Sequence, residues 1–122
     1  MAINSKVKGA TGEREIAKIL KEKGFTGARR GQQYCGANGD ADVIGIEGVH
    51  IEVKRVEKLN VENALKQAER DKKENEIATV FHRKNREEWK VTLRLDDFIN
   101  LYKELKDKES KIQDLEKREL WR

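Results

Sequence analysis

Residues 39–55 read GDADVIGIEGVHIEVKR, the least polar-looking part of a very polar chain. Side chains alternate along a strand. Val49, Ile51 and Val53 therefore point one way, and His50, Glu52 and Lys54 the other. The fold turns on where Asp42 points. A two-residue turn at Glu47-Gly48 would set Asp42 opposite Val53, on the apolar face. That would bury a bare carboxylate, at a cost of several kcal/mol or a neutralised acid. A three-residue turn, Ile46-Glu47-Gly48, pairs Asp42 with Glu52 instead. Such turns often end in a glycine with positive φ, and Gly48 stands there. In this register Val43, Val49, Ile51 and Val53 form a core face, while Asp42, Glu52 and Lys54 share the other. A bulge or bend near Asp42 would serve equally.

Two carboxylates side by side on a sheet repel. A divalent cation turns that repulsion into coordination. Oxygen ligands suit Mg²⁺, which is typically held by one or two carboxylates together with phosphate oxygens, and Mn²⁺ is an expected substitute. A neighbouring lysine would orient the attacking water or stabilise charge developing on a phosphate. The plainer alternative is a solvent-facing edge hairpin with a Glu–Lys pair.

Outward from the hairpin, ATGEREIAKILKEK (10–23) places Ile16, Ala17, Ile19 and Leu20 at helical spacing, with Thr11 as cap and Gly24 as stop. FTGARRGQQY is an irregular strand candidate and CGANGD a loop. VENALKQAERDKKE (61–74) reads as a second helix with Val61, Ala64, Leu65 and Ala68 inward. IATVFHR (77–83) reads as a buried strand. EWKVTLR (88–94) reads as another, with Trp89, Val91 and Leu93 inward. A helix is expected from Asp96 to the C-terminus. The order is αβββαββα: a mixed α/β fold, with a mixed five-stranded sheet flanked by helices and a long C-terminal helix.

With 122 residues the chain suits one domain, 1–122. Residues 1–9 are expected as a flexible basic arm and 107–122 as a distal, thinly apolar helix end. No apolar run approaches a membrane span, MAINSKVKG lacks the apolar middle of a signal peptide, and the single Cys35 cannot form an internal disulfide. These features favour a cytoplasmic protein with no membrane partner. Residues 1–40 hold eight Lys or Arg and four acids, while the other 82 residues carry 19 of each sign. The basic excess thus precedes the hairpin. A polyanion such as nucleic acid suits it, and so does a solvated face.

ADV followed by IEVK resembles the PD-(D/E)xK nuclease motif. More specifically, NSKVKGATGEREIAKILKEKGFTGARRG, GDADVIG and HIEVKR resemble the archaeal-type Holliday junction resolvases and their bacteriophage relatives, over roughly residues 4–70. The resemblance implies a restriction-endonuclease-like core, a homodimer and cleavage of four-way DNA junctions, in a bacterial host's cytoplasm if the gene is a phage's. It implies that Asp42 and Glu52 are the main metal ligands, with the Val53 carbonyl and an additional acid, Glu13. It also implies that Lys54 is the catalytic lysine, with Gln67 facing the site. Lys6, Lys8, Arg14, Arg29, Arg30 and Arg55 would hold DNA phosphates. Ala41 replaces the proline of the motif's name, a backbone preference rather than a reacting group. Asp40 adds another carboxylate, but Val43 and Ile44 continue the strand directly from Asp42.

His50 shares the face of Glu52, yet a lone strand histidine, like His82, is more often packed or superficial than a ligand. Tyr34 and Cys35 read as incidental loop residues. In the last helix, Phe98, Leu101, Leu105, Ile112 and Leu115 follow 3-4 spacing. That suits a short coiled coil or dimer arm, or for 96–106 packing on its own domain. The expectation is a metal-dependent, structure-selective DNA endonuclease, most directly a junction resolvase. The alternatives are a related nuclease acting on flaps, ends or duplex, and a non-catalytic DNA-binding protein on a nuclease scaffold.

Overall fold

A computed structural model of the chain describes residues 5–31 and 41–120. Its elements are α1 (Ser5–Glu22), β1 (Arg29–Arg30), β2 (Val43–Ile44), β3 (Val49–Arg55), α2 (Val61–Asp71), β4 (Ile77–Arg83), β5 (Lys90–Thr92) and α3 (Leu95–Leu120). This is the order the sequence implied. The strands form one five-stranded sheet in the order β1-β2-β3-β4-β5. β3 and β4 run parallel, joined through α2, and every other neighbour is antiparallel.

The hairpin register follows the parity argument. Val43 lies opposite Ile51, as a turn centred on Glu47 requires. Gly48 takes φ +84°, a conformation that a side chain would strain. One set of alternate side chains, Val43, Ile51 and Val53, packs with Ile16 and Ala17 of α1. On the opposite face Ala78 and Val80 of β4 pack with Ala64, Leu65 and Ala68 of α2. The sheet is therefore covered on both sides, and β3 and β4 at its centre are the best shielded strands.

α1 starts at Ser5, so residues 5–9 belong to a helix rather than to a flexible arm, and Thr11 lies inside it. Its end is as expected. At Gly24 (φ +106°) the Phe25 N–H reaches the Leu20 carbonyl and the Gly24 N–H that of Lys21. α2 is capped by Asn60, whose side chain accepts from the Asn63 N–H at 3.0 Å. It stops at Asp71, three residues short of the sequence expectation. Glu15 ties α1 to the sheet. It receives Arg55 Nη1 at 3.1 Å, Arg83 Nη2 at 3.3 Å and the Trp89 indole N–H at 3.1 Å. Arg83 also lies 5.5 Å from the Trp89 ring centre.

β5 is shorter than expected, and Val91 is half exposed rather than inward. It stands opposite Phe81 at the sheet's outer edge, past the strands that α1 covers. α3 runs through 26 residues without burying one, so residues 96–106 do not pack into their own domain's core. Among the described residues no helix is long and apolar enough to cross a membrane.

Candidate active site

The polar face of β3 is more deeply buried than a solvent-facing edge would be. Glu52 is 2 % exposed, His50 1 % and Asp42 8 %. Asp42 sits where β2 has left the ladder. Its backbone N–H still bonds the Ile51 carbonyl, but its side chain now takes the place of a ladder carbonyl. Asp42 Oδ2 accepts from the Val53 N–H at 2.7 Å. Burial pushes its carboxyl up to about 7, and the Glu52 carboxylate adds to the rise. The Val53 N–H opposes it, and Glu13 adds a smaller push upward. Burial and the neighbouring carboxylate together make the Asp42 charge costly on this side of the sheet.

Glu13, itself 8 % exposed on α1, accepts from Arg30 Nε at 2.8 Å. One expected DNA contact is thereby engaged by one expected acid. Glu52 Oε1 lies 2.8 Å from His50 Nε2, and His50 Nδ1 is 3.9 Å from Glu76. Burial pulls the His50 pKa down, but the Glu52 hydrogen bond and charge outweigh it, so the imidazole is more basic than usual. His50, Glu52 and Asp71 present ligand atoms within 4.8 Å of one another, so this group could also hold a metal. A mixed imidazole and carboxylate set suits Mn²⁺ or Zn²⁺ better than Mg²⁺. His50 was expected to be a packed residue. It is packed, but against the carboxylate of the site. The alternation along VHIEVK already placed it on that face; its acidic neighbours come from the α2–β4 connection.

Lys54 continues the same face into a cleft of about 490 Å³, lined by Lys54, Asn60, Asn63, Lys66, Gln67 and Arg70 among others. The structure therefore brings Lys54 and Gln67 together, as expected. It adds Lys66 and Arg70, which sequence reasoning missed. Among the described residues no carboxylate lines this cleft. The acids of α2 that could neutralise it turn elsewhere: Glu62 and Glu69 take Arg94, with contacts of 2.7–3.1 Å. A second cleft of about 270 Å³ shares Val56 and Leu59 with the first and adds Lys84 and Lys90 beside Glu87. Its His82 is held 2.8 Å from the Thr92 hydroxyl.

The remaining expected contacts are scattered. Arg14 is exposed on α1. Arg29 is exposed and reaches the Gly27 carbonyl at 3.1 Å. Arg55 lies on the opposite face of β3 and is engaged by Glu15 at 3.1 Å. Lys6 and Lys8 belong to α1, with side chains outside the described residues, and Tyr34, Cys35 and Asp40 lie outside them altogether. No family model, curated protein or solved structure matches the chain.

Proposed function

We propose that the protein is a metal-dependent DNA endonuclease with a restriction-endonuclease-like core, acting as a homodimer on four-way junctions. The observation that carries the reading is one arrangement. Asp42 and Glu52 are buried together on the face of β3 whose next residue, Lys54, opens onto a cleft whose charged lining, among the described residues, is cationic. Two carboxylates buried side by side match the donor chemistry of a hard cation such as Mg²⁺. Asp42 and Glu52 would hold it, with Glu13 and the Val53 carbonyl in support. When bound, it polarises the scissile phosphate and makes a bound water more acidic.

The chain's own groups do the rest. Lys54 donates to a phosphate oxygen or to the attacking water. Gln67, across the same cleft, positions that water. His50 holds one oxygen of Glu52 and so orients the other. Lys66 and Arg70 take backbone phosphates without reading bases, so affinity falls steeply with salt. The preference for junctions rests on the resemblance of residues 4–70 to the resolvases, since the site itself is indifferent to the substrate's shape.

The test is cleavage of a four-way junction, a flap and a linear duplex side by side with Mg²⁺. Asp42→Asn and Lys54→Ala should each lose at least about 100-fold in cutting rate while junction binding persists. Wild-type rates in both variants would sink the site assignment. Cutting of flap or duplex but not junction would select the related-nuclease reading. Binding with no divalent-dependent cutting of any of the three would leave a DNA-binding scaffold.

A further inference from the structure

α3 exposes Phe98, Leu101, Leu105, Ile112 and Leu115, each between 42 and 58 % accessible. In heptad terms Phe98, Leu105 and Ile112 occupy one seam position and Leu101, Lys108 and Leu115 the other. The helix is ~39 Å long at 1.5 Å per residue. Its first half borders a groove of about 430 Å³. Val49, Ile77 and Leu101 give that groove apolar walls, and Glu47, Asp97 and Glu104 are its only charged lining among the described residues. The second half of the same helix carries Lys108, Lys111, Lys117 and Arg118 against Glu109, Asp114, Glu116 and Glu119, and is neutral overall. The row beside the apolar stripe nevertheless runs from Asp97 and Glu104 at the groove to Lys111 and Arg118 in the second half, acidic at one end and basic at the other.

We propose that α3 pairs antiparallel with α3 of a second copy of this chain, Lys111 and Arg118 of each lying along the acidic groove of the other. One register satisfies the whole seam. Phe98 meets Leu115 of the second copy, Leu101 meets Ile112, and Leu105 covers the stem of Lys108, whose ammonium leaves toward water. On the row beside the groove the flanking charges then match. Asp97 faces Arg118 of the second copy and Glu104 faces Lys111, each twice by symmetry. A parallel pair gains Lys111 beside Glu116 but does worse elsewhere. It sets Glu104 beside Glu109 twice, stacks Lys108 on Lys108 and places Glu119 on Glu119. Lys108 at the seam therefore selects orientation at some cost in affinity.

The pairing deepens the homodimer of the proposed function, but its test is separate from that of the active site, because no residue of α3 belongs to that site. The experiment is sedimentation velocity of the full chain without DNA, across roughly 1–200 µM protein. The wild type should form a dimer. Glu104→Lys should weaken it about tenfold or more, by turning two attractions into two repulsions. Glu104→Lys combined with Lys111→Glu should restore it, because the exchanged charges still face each other. Both positions are exposed, and circular dichroism verifies that each variant folds. A wild type that stays monomeric over the whole range overturns the proposal. So does a Glu104→Lys variant that associates unchanged or more tightly, the latter being the mark of a parallel pair. Failure of the double variant to recover overturns it as well.

Discussion

β3 and α3 depart from the usual distribution of side chains in opposite directions. β3 buries His50 and Glu52 almost completely, whereas α3 leaves Leu105 at 53 % and Phe98 at 54 % exposure. The difference follows from position. β3 has a strand on each side, α1 over one face and α2 over the other. Anything it carries is shielded, polar or not. α3 leaves the sheet after Arg94 and meets it again only along the groove at the ends of β3 and β4. Burial in a small protein is thus set by where an element stands as much as by what it is made of. A buried carboxylate signals a chemical use or a partner, since desolvation opposes it. An exposed apolar stripe signals a surface that is covered by association.

The largest expected contrast comes from truncating one apolar side chain in each element. Ile51→Ala removes a core group 1 % exposed and should destabilise the fold by about 2–5 kcal/mol. Leu105→Ala should change monomer stability by less than about 0.5 kcal/mol. Urea unfolding at low protein concentration measures both. Equal losses would mean that α3 is held by its own domain after all.

A smaller effect is expected where β3 buries charge. The Asp42 carboxyl is raised to about 7 in the folded protein from an ordinary 3.8. Between those values the folded state holds a proton that the unfolded chain releases, so the metal-free protein loses stability as pH rises from about 4 to about 7. Asp42→Asn keeps an oxygen for the Val53 N–H and removes the charge. It should leave stability unchanged near pH 4 and raise it by on the order of 2 kcal/mol near pH 8. Urea unfolding at the two pH values reads this directly. Added Mg²⁺ should raise the melting temperature of the wild type and not of the variant. A variant that is less stable at both pH values would show that the carboxylate is structural.

The smallest effect concerns the junction between the two regions. Arg94→Ala releases Glu62 and Glu69 and should lower amide protection in the first turn of α3, leaving β3 unchanged. Loss of protection in β3 as well would mean that the link stabilises the whole domain.

Much of this comparison was legible in the chain. The element order, the limits of β4 and the two faces of the hairpin follow from local periods. The burial conflict at Asp42 selected the register before any contact was known. Other features were not legible. The early start of α1 takes Gly9 into the helix and leaves Gly12, already expected in its first turn, well inside it, against their propensity. The reason at Gly12 is tertiary: a side chain there would meet Arg55 Cβ at 3.1 Å and Val53 Cγ1 at 3.4 Å, so α1 approaches β3 closely only through a glycine. The exposure of Val91 depends likewise on how far α1 extends over the sheet.

Charge shows the limit most clearly. By count, residues 41–122 are neutral, and the basic excess lies before the hairpin. In space the acids and bases of α2 separate. Glu62 and Glu69 turn to Arg94, 25 to 32 residues away, and leave Lys66 and Arg70 with Lys54 in one cleft. By itself the sequence determined which side chains share a face, because alternation along a strand is a property of the local backbone. Only the tertiary structure decided which charges meet, since those partners lie tens of residues apart and packing brings them together.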